Sequence, residues 1–197
     1  MDAQKIETLK GLIESAIVVD INGIMLSSGI TSLYYYDLRK VTFDPTGISL
    51  IGDLLYDEIS LLGAKSVGGP EIAAIPIITA ILIKGASERE LKGFVVRKQA
   101  KDHGLKHMIE GDLKQPVVMV DDVLTTGASL NRAIEAVMKK GFSVNHVFCI
   151  LDRQENNELK NSHYKIKSLF KHSDFKPFID AEIERQRNQA GLIQKSQ

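Results

Sequence analysis

The chain lacks several features that would identify a protein class at once. It has a single cysteine, Cys149, so no internal disulfide can form. The apolar run VFCILD around it marks a buried thiol that fills space, and no His or cation flanks it closely enough to make it a nucleophile. There is no net charge of either sign: 25 Lys and Arg stand against 25 Asp and Glu. That balance disfavours non-specific nucleic-acid binding, which needs many unpaired cations. No stretch reaches the roughly 20 apolar residues of a membrane span, and the longest run, Ile72 to Ile83, is broken by Pro76 and Thr79. The first residues, MDAQKIETLKGLIESAIVVD, have neither the basic start nor the long apolar run of a signal peptide. The expectation is a soluble, cytoplasmic protein with neither nucleic acid nor membrane as a partner. No G-x-x-x-x-G-K-[ST] occurs, and no G-x-G-x-x-G follows a strand, which disfavours an ATP-type loop and a dinucleotide fold.

What is present is an ordinary globular chain. Its 197 residues fit one α/β domain, long enough to bury roughly 70% of the unfolded surface. Ile6, Leu9, Leu12, Ile13 and Ala16 share a face and predict a helix over residues 5–19. Residues 24–43 read as β-like around a Ser28-Gly29 turn, and a second helix is expected over 46–62 with Gly63 as its stop. Strand then alternates with helix. Strands are expected at 65–67, 93–97, 116–120 and 144–151, and helices at 72–84 and 128–140. Gly68-Gly69-Pro70 is expected to be a turn and residues 98–115 a polar stretch. That rhythm predicts a parallel sheet flanked by helices. A strand at 167–170 and a polar helix over 178–189 complete the tail.

The sharpest feature is VVMVDDVLTTGAS, residues 117–129. An apolar strand ends in two acids, and Thr125, Thr126, Gly127, Ala128 and Ser129 open a helix. In open α/β sheets ligands bind at the C-terminal strand ends. A helix start offers free N–H groups and positive potential to a phosphate. Asp121 and Asp122 would repel that phosphate, so they suit sugar hydroxyls or a cation. The bland alternative is a Ser129 cap beside two solvated acids. Residues 117–129 resemble the phosphoribosyl-diphosphate (PRPP) binding motif of type I phosphoribosyltransferases. The resemblance implies that family's α/β fold: a parallel sheet flanked by helices, a small N-terminal hood and a mobile catalytic loop. It implies one phosphoribosyltransferase domain over 1–197, with a hood region over about 1–45, a PRPP-binding core over about 46–155 and a C-terminal extension over 156–197. By the same resemblance Asp121 and Asp122 hold the ribose, and Thr125, Thr126, Gly127, Ala128 and Ser129 hold the 5′-phosphate.

Residues 92–107, KGFVVRKQAKDHGLKH, carry Lys92, Arg97, Lys98, Lys101 and Lys106 against one acid, Asp102. A solvated surface loop is the alternative, but cations closing over a departing diphosphate would stabilise the charge it develops. The pattern R-K-x-x-K-x-H-G is similar to the catalytic loop of orotate phosphoribosyltransferases. It maps Arg97, Lys98, Lys101 and His103 onto the diphosphate, reaching in part into a neighbouring subunit, and so implies a homodimer with shared sites. Lys101 is the expected contact to the leaving group, and His103 a weaker general acid. MLSSGITSLYYYDLRK, residues 25–40, resembles the S-G-x-x-S-x-Y-Y-x-D signature of that subfamily, although by itself it reads as a strand with aromatic packing. It implies Ser27, Tyr35 and Tyr36 at the base, with Thr125. VGGPEIAAIP, residues 67–76, resembles the family's diphosphate-binding turn and implies backbone contacts from Glu71, Ile72 and Ala73. Arg153 follows a strand where the family meets the orotate carboxylate; an ion pair with Glu155 is its plain alternative. The chain departs from some relatives at Ser27 and Ala73, where they carry lysine.

The expected activity is transfer of phosphoribosyl from PRPP to orotate. The expected cofactor is Mg²⁺, held mainly by PRPP oxygens with no direct protein ligand named. Transfer to another nucleobase, or nucleotide or RNA binding without catalysis on the same fold, are the rival readings.

Overall fold

The computed structural model describes residues 2–26, 29–87, 90–99, 108–154, 159 and 163–194. Helix α1, Ala3–Ala16, starts on Asp2, whose carboxylate accepts from the Gln4 and Lys5 N–H groups. It ends sooner than its apolar spacing predicts, because Ile17 begins a strand. Strands β1, Ile17–Met25, and β2, Thr31–Tyr36, form an antiparallel ribbon that pairs Ile17 with Tyr36 and Val19 with Tyr34. The expected β-like stretch stops at Tyr36. Residues 38–42 form a short helix instead, α2, Leu38–Thr42, with Leu38 and Val41 buried. Helix α3, Pro45–Leu61, has Asp44 accepting from the Gly47 N–H and proline in its first turn, where the missing N–H costs nothing.

The remaining elements are β3, Ser66–Pro70; α4, Ala74–Lys84; β4, Lys92–Val96; β5, Ile109–Gly111; β6, Val117–Leu124; α5, Ala128–Lys139; β7, Val144–Asp152; β8, Lys165–Lys171; and α6, His172–Gln194. They build a six-stranded sheet in the order β5-β4-β3-β6-β7-β8. Every neighbouring pair is parallel except β4 with β5. The expected α/β parallel sheet is therefore present, with one antiparallel edge strand inside the stretch expected to be polar coil.

Two apolar layers cover the sheet. One joins α1, α3, α4 and the start of α6 through Leu9, Ile13, Ile51, Leu55, Ile77 and Phe175. The other packs Leu130, Ala133, Ile134 and Val137 of α5 against Met119 and Val147. Cys149 is fully buried in this second layer, and burial pushes its thiol far above the ordinary range.

Gly68-Gly69-Pro70 is strand rather than turn, and the reason is packing. A Cβ on Gly68 would lie 2.4 Å from the Phe94 ring, and one on Gly69 would lie 2.1 Å from the Val120 carbonyl oxygen. The glycines let strand, ring and neighbouring backbone close up where side chains would hold them apart. The C-terminal segment also does more than extend the core. Strand β8 joins the main sheet beside β7, and α6 begins six residues before the expected position. Gln186 of α6 donates to the Val19 carbonyl at 2.9 Å, tying the β1–β2 ribbon to this helix.

Gly69→Ala is expected to lower unfolding free energy by about 1–3 kcal/mol, the usual cost of overpacking. Urea unfolding of the two proteins checks this, and equal midpoints would contradict the close approach.

Candidate functional site

All five parallel strands deliver residues to one edge of the sheet. After β3 come Glu71, Ile72 and Ala73; after β4, Arg97 and Lys98; after β6, Thr125 to Gly127; after β7, Arg153 and Gln154; after β8, His172. Parallel strands share one C-terminal edge, so five loops separate in sequence open on the same side.

The turn after β3 is tied to the start of the basic segment. The Glu71 N–H donates to the Val96 carbonyl at 2.9 Å, and the Glu71 carboxylate accepts from the Lys98 N–H at 2.9 Å. Ile72 is exposed and Ala73 half-buried. At the other end of the segment the Arg97 N–H donates to the Met108 carbonyl at 2.8 Å, and its guanidinium pairs with Glu110 at 3.5 Å. Residues 97 and 108 are thus pinned together at the strand edge, and the basic segment leaves and returns at one place. Lys101 and His103 lie outside the described residues, as does Ser27.

The paired acids are placed differently from expectation. Strand β6 runs on to Leu124, so Asp121 and Asp122 are strand residues rather than edge residues. Alternation puts Asp121 on the Met119 side and Asp122 on the Val120 side. Asp121 is 8% exposed, and its carboxylate accepts from the Asp122 N–H at 3.0 Å. Burial first, and the neighbouring Asp122 charge second, push the Asp121 carboxyl well above the usual carboxylate range. Burial also raises Asp122, opposed by the Val123 N–H that donates to it at 2.6 Å. Asp122 is the more accessible of the two.

Gly127 caps α5 at φ 77°, a left-handed conformation that L side chains rarely adopt. Gly127 has no side chain to cap this helix start, and Thr126 Oγ1 accepts from the Ala128 N–H at 3.4 Å. Thr125, Ala128 and Ser129 are half-buried around it and Thr126 is exposed. A backbone cradle of this kind at a helix N-terminus suits a phosphate.

Arg153 is held by its backbone. Its N–H donates to the Leu124 carbonyl at 3.0 Å, the Gln154 N–H donates to Asp152 Oδ1 at 2.7 Å, and Gln154 Oε1 accepts from the Ser173 N–H of α6 at 2.9 Å. The guanidinium carbon sits 5.4 Å from the centroid of the Tyr34 ring, over its face. Tyr34 and Tyr36 share one face of β2, with their rings edge-on at 5.7 Å, while Tyr35 points to the opposite face and is 38% exposed. The aromatic partner of Arg153 is therefore Tyr34, not Tyr35. Period-two alternation in Tyr34-Tyr35-Tyr36 carried that signal. His172, stacked on Tyr34 at 5.2 Å, and Gln154 had none, because their place depends on β8 joining the sheet.

A model of the phosphoribosyl transferase domain family matches residues 69–182. Orotate phosphoribosyltransferase of Aquifex aeolicus is 39% identical over 154 residues, covering 76% of this chain and 84% of that one. The enzyme of the same name from Rhodopirellula baltica is 42% identical over 138 residues, covering 65% of this chain and 71% of its own. The crystal structure of Mycobacterium tuberculosis orotate phosphoribosyltransferase in complex with PRPP superposes with a TM-score of 0.70 at 30% identity, covering 86% of this chain and 98% of that one.

The raised Asp121 carboxyl gives a pH prediction. The native state holds this proton more tightly than the unfolded chain does. Asp121 therefore contributes stability that is present at low pH and lost as pH rises above the unfolded value near 3.9. Asp121→Asn is expected to stabilise the ligand-free protein relative to wild type by an amount that grows from pH 4.5 to 7.5. Urea titrations at about those two pH values check it; a constant difference would contradict the assignment.

Proposed function

The chain belongs to the phosphoribosyltransferase family, and on that premise we infer that it is an orotate phosphoribosyltransferase. It transfers phosphoribosyl from PRPP to orotate, giving orotidine 5′-monophosphate and diphosphate in pyrimidine biosynthesis. The observation that carries the choice of base is Arg153 lying over the Tyr34 ring. A guanidinium beside an aromatic face suits a planar ring that bears a carboxylate.

In the proposed mechanism the α5 N-terminus and residues 125–129 hold the 5′-phosphate, and Asp122 with Asp121 accepts from the ribose hydroxyls. The backbone of Glu71, Ile72 and Ala73 holds the diphosphate. As the bond from ribose C1 to diphosphate breaks and the bond to the orotate nitrogen forms, charge grows on the leaving group. Arg97, Lys98, Lys101 and His103 stabilise that charge, with Lys101 the main contact. Thr125 and Tyr34, with the backbone near Ser27 and Tyr35, are the proposed contacts around the base; Tyr36, expected there too, is buried against Phe175 and supports Tyr34 from the core side instead. Orientation and charge stabilisation supply the acceleration, since no covalent enzyme intermediate is required.

Mg²⁺ is the proposed cofactor, neutralising diphosphate charge when bound. The Asp121–Asp122 pair fits the one or two carboxylates such a cation takes beside substrate oxygens. Among the described residues no group of three or more potential ligands gathers, which leaves most of the coordination to PRPP and water.

We further propose a homodimer whose basic segments complete each other's sites. Its support is an apolar groove of about 740 Å³ between α3 and α4, lined by Phe43, Ile48, Ile72, Ile75, Pro76 and Ile83. Phe43, Ile72 and Ile83 are each 70% exposed or more, a patch that water covers at a cost and a second copy would bury. Ile72 also belongs to the diphosphate turn, so the groove adjoins the site. A cytoplasmic location is proposed from the free Cys149. No helix among the described residues is long and apolar enough to cross a membrane.

Purified protein with PRPP, orotate and Mg²⁺ is expected to consume orotate, followed by its absorbance, and to stop in EDTA. Arg153→Ala is expected to raise KM for orotate about tenfold to a hundredfold, the worth of a charge-assisted contact, with little change for PRPP. Turnover with a purine or uracil but not orotate would overturn the choice of base. Phe43→Asp is expected to yield a monomer with reduced kcat, read by sedimentation and assay. A dimer with full activity would exclude this face.

A further inference from the structure

We propose that His172, the first residue of α6, is a positioning residue for the base. It locks the Tyr34 ring beneath Arg153. The proposal rests on the orotate reading for its substrate, but its geometry comes from three elements far apart in the chain.

The imidazole lies nearly parallel to the Tyr34 ring, at 14° and 5.2 Å between centroids. Its Nδ1 is 2.8 Å from the Tyr36 hydroxyl, and the two share one hydrogen bond. Tyr36 is 5% exposed and meets Phe175 of the core edge-on at 5.9 Å, so it is an anchored partner. One imidazole thus joins a core tyrosine to the tyrosine that carries the guanidinium at 5.4 Å. The position of His172 is itself over-determined. Asp174 Oδ2 accepts from the Lys171 N–H at 2.8 Å, which fixes the first turn of α6. The Gln154 carboxamide accepts from the Ser173 N–H at 2.9 Å, which ties the same turn to the backbone next to Arg153.

A side chain held in one rotamer before the ligand arrives saves the cost of ordering it on binding. Without the imidazole, Tyr34 loses its stacked partner and keeps its edge contact with Tyr36, its packing on the core and the cation over its face. The base would then meet a platform that must be ordered as it binds. PRPP is held at other strand ends, by the turn after β3 and the loop after β6, and does not depend on this stack. A plain structural role would weaken both substrates together or neither.

The test is steady-state kinetics of the full chain, with orotate and PRPP varied separately. His172→Ala is expected to raise KM for orotate about tenfold and to leave KM for PRPP within about twofold. Tyr36→Phe deletes the same hydrogen bond from its other end and should raise KM for orotate in the same selective way. The double variant should be no worse than about the larger single effect, because both remove one unit. His172→Asn, which keeps a polar atom near Nδ1, should recover part of the loss. If His172→Ala does not fold, Tyr36→Phe and His172→Asn carry the test alone. An unchanged KM for orotate, equal rises for both substrates, or strictly additive variants would overturn the proposal. Wild-type protein that ignores orotate but uses another base would sink the substrate reading only. The lock would then be read in KM for that base.

Discussion

Burial of a carboxylate inside a parallel sheet is the constraint that organises this molecule. Asp121 sits on β6, in the middle of the sheet, hydrogen-bonded to the next residue's N–H and shielded from water. A charge there is costly, so its proton is held tightly and the strand must be kept in place by its surroundings. Those surroundings are β3 on one side, brought close by Gly69, and β7 on the other, with apolar layers above and below.

The same strand fixes the rest of the edge. Leu124 at the end of β6 accepts from the Arg153 N–H, and the loop after Leu124 turns through Gly127 into α5. The N-terminus of α5 and Arg153 are therefore neighbours through one short stretch of backbone. The C-terminal segment completes the arrangement from outside. Its strand extends the sheet, its first turn braces Arg153 and Tyr34, and its helix carries the β1–β2 ribbon through Gln186. The β1–β2 ribbon is thus tied to α6, while α1 and α2 pack directly on α3.

Charge balance takes on a local meaning in this setting. The basic segment is pinned at Arg97 and Met108, and the next backbone amide, that of Lys98, is held by Glu71. The formal charge of zero is a sum over the whole chain, within which residues 92–107 carry five Lys and Arg against one acid and two adjacent acids lie on β6.

Much of this was readable in the residues alone. Alternation of apolar strands with helices announced the parallel sheet. The run from Val117 to Ser129 announced a strand, a loop and a helix start, because an apolar strand, two acids and a glycine-bearing loop have local causes in hydropathy, helix capping and backbone freedom. What was not readable depended on contacts between distant segments. Gly68-Gly69-Pro70 looks like a turn until Phe94 and Val120 are packed against it. Residues 109–111 are a strand only because β4 offers an edge to pair with. The two acids fall on different sides of their strand because pairing with β7 carries β6 past them. Tyr34 meets Arg153 because β2 and the end of β7 come together, and His172 reaches Tyr34 because β8 docks on β7. The sequence by itself determined which chemical groups and which local conformations the site has, since those follow from side-chain type and short-range spacing. Only the tertiary structure decided which groups meet, since pairing and packing act between residues that the chain keeps far apart.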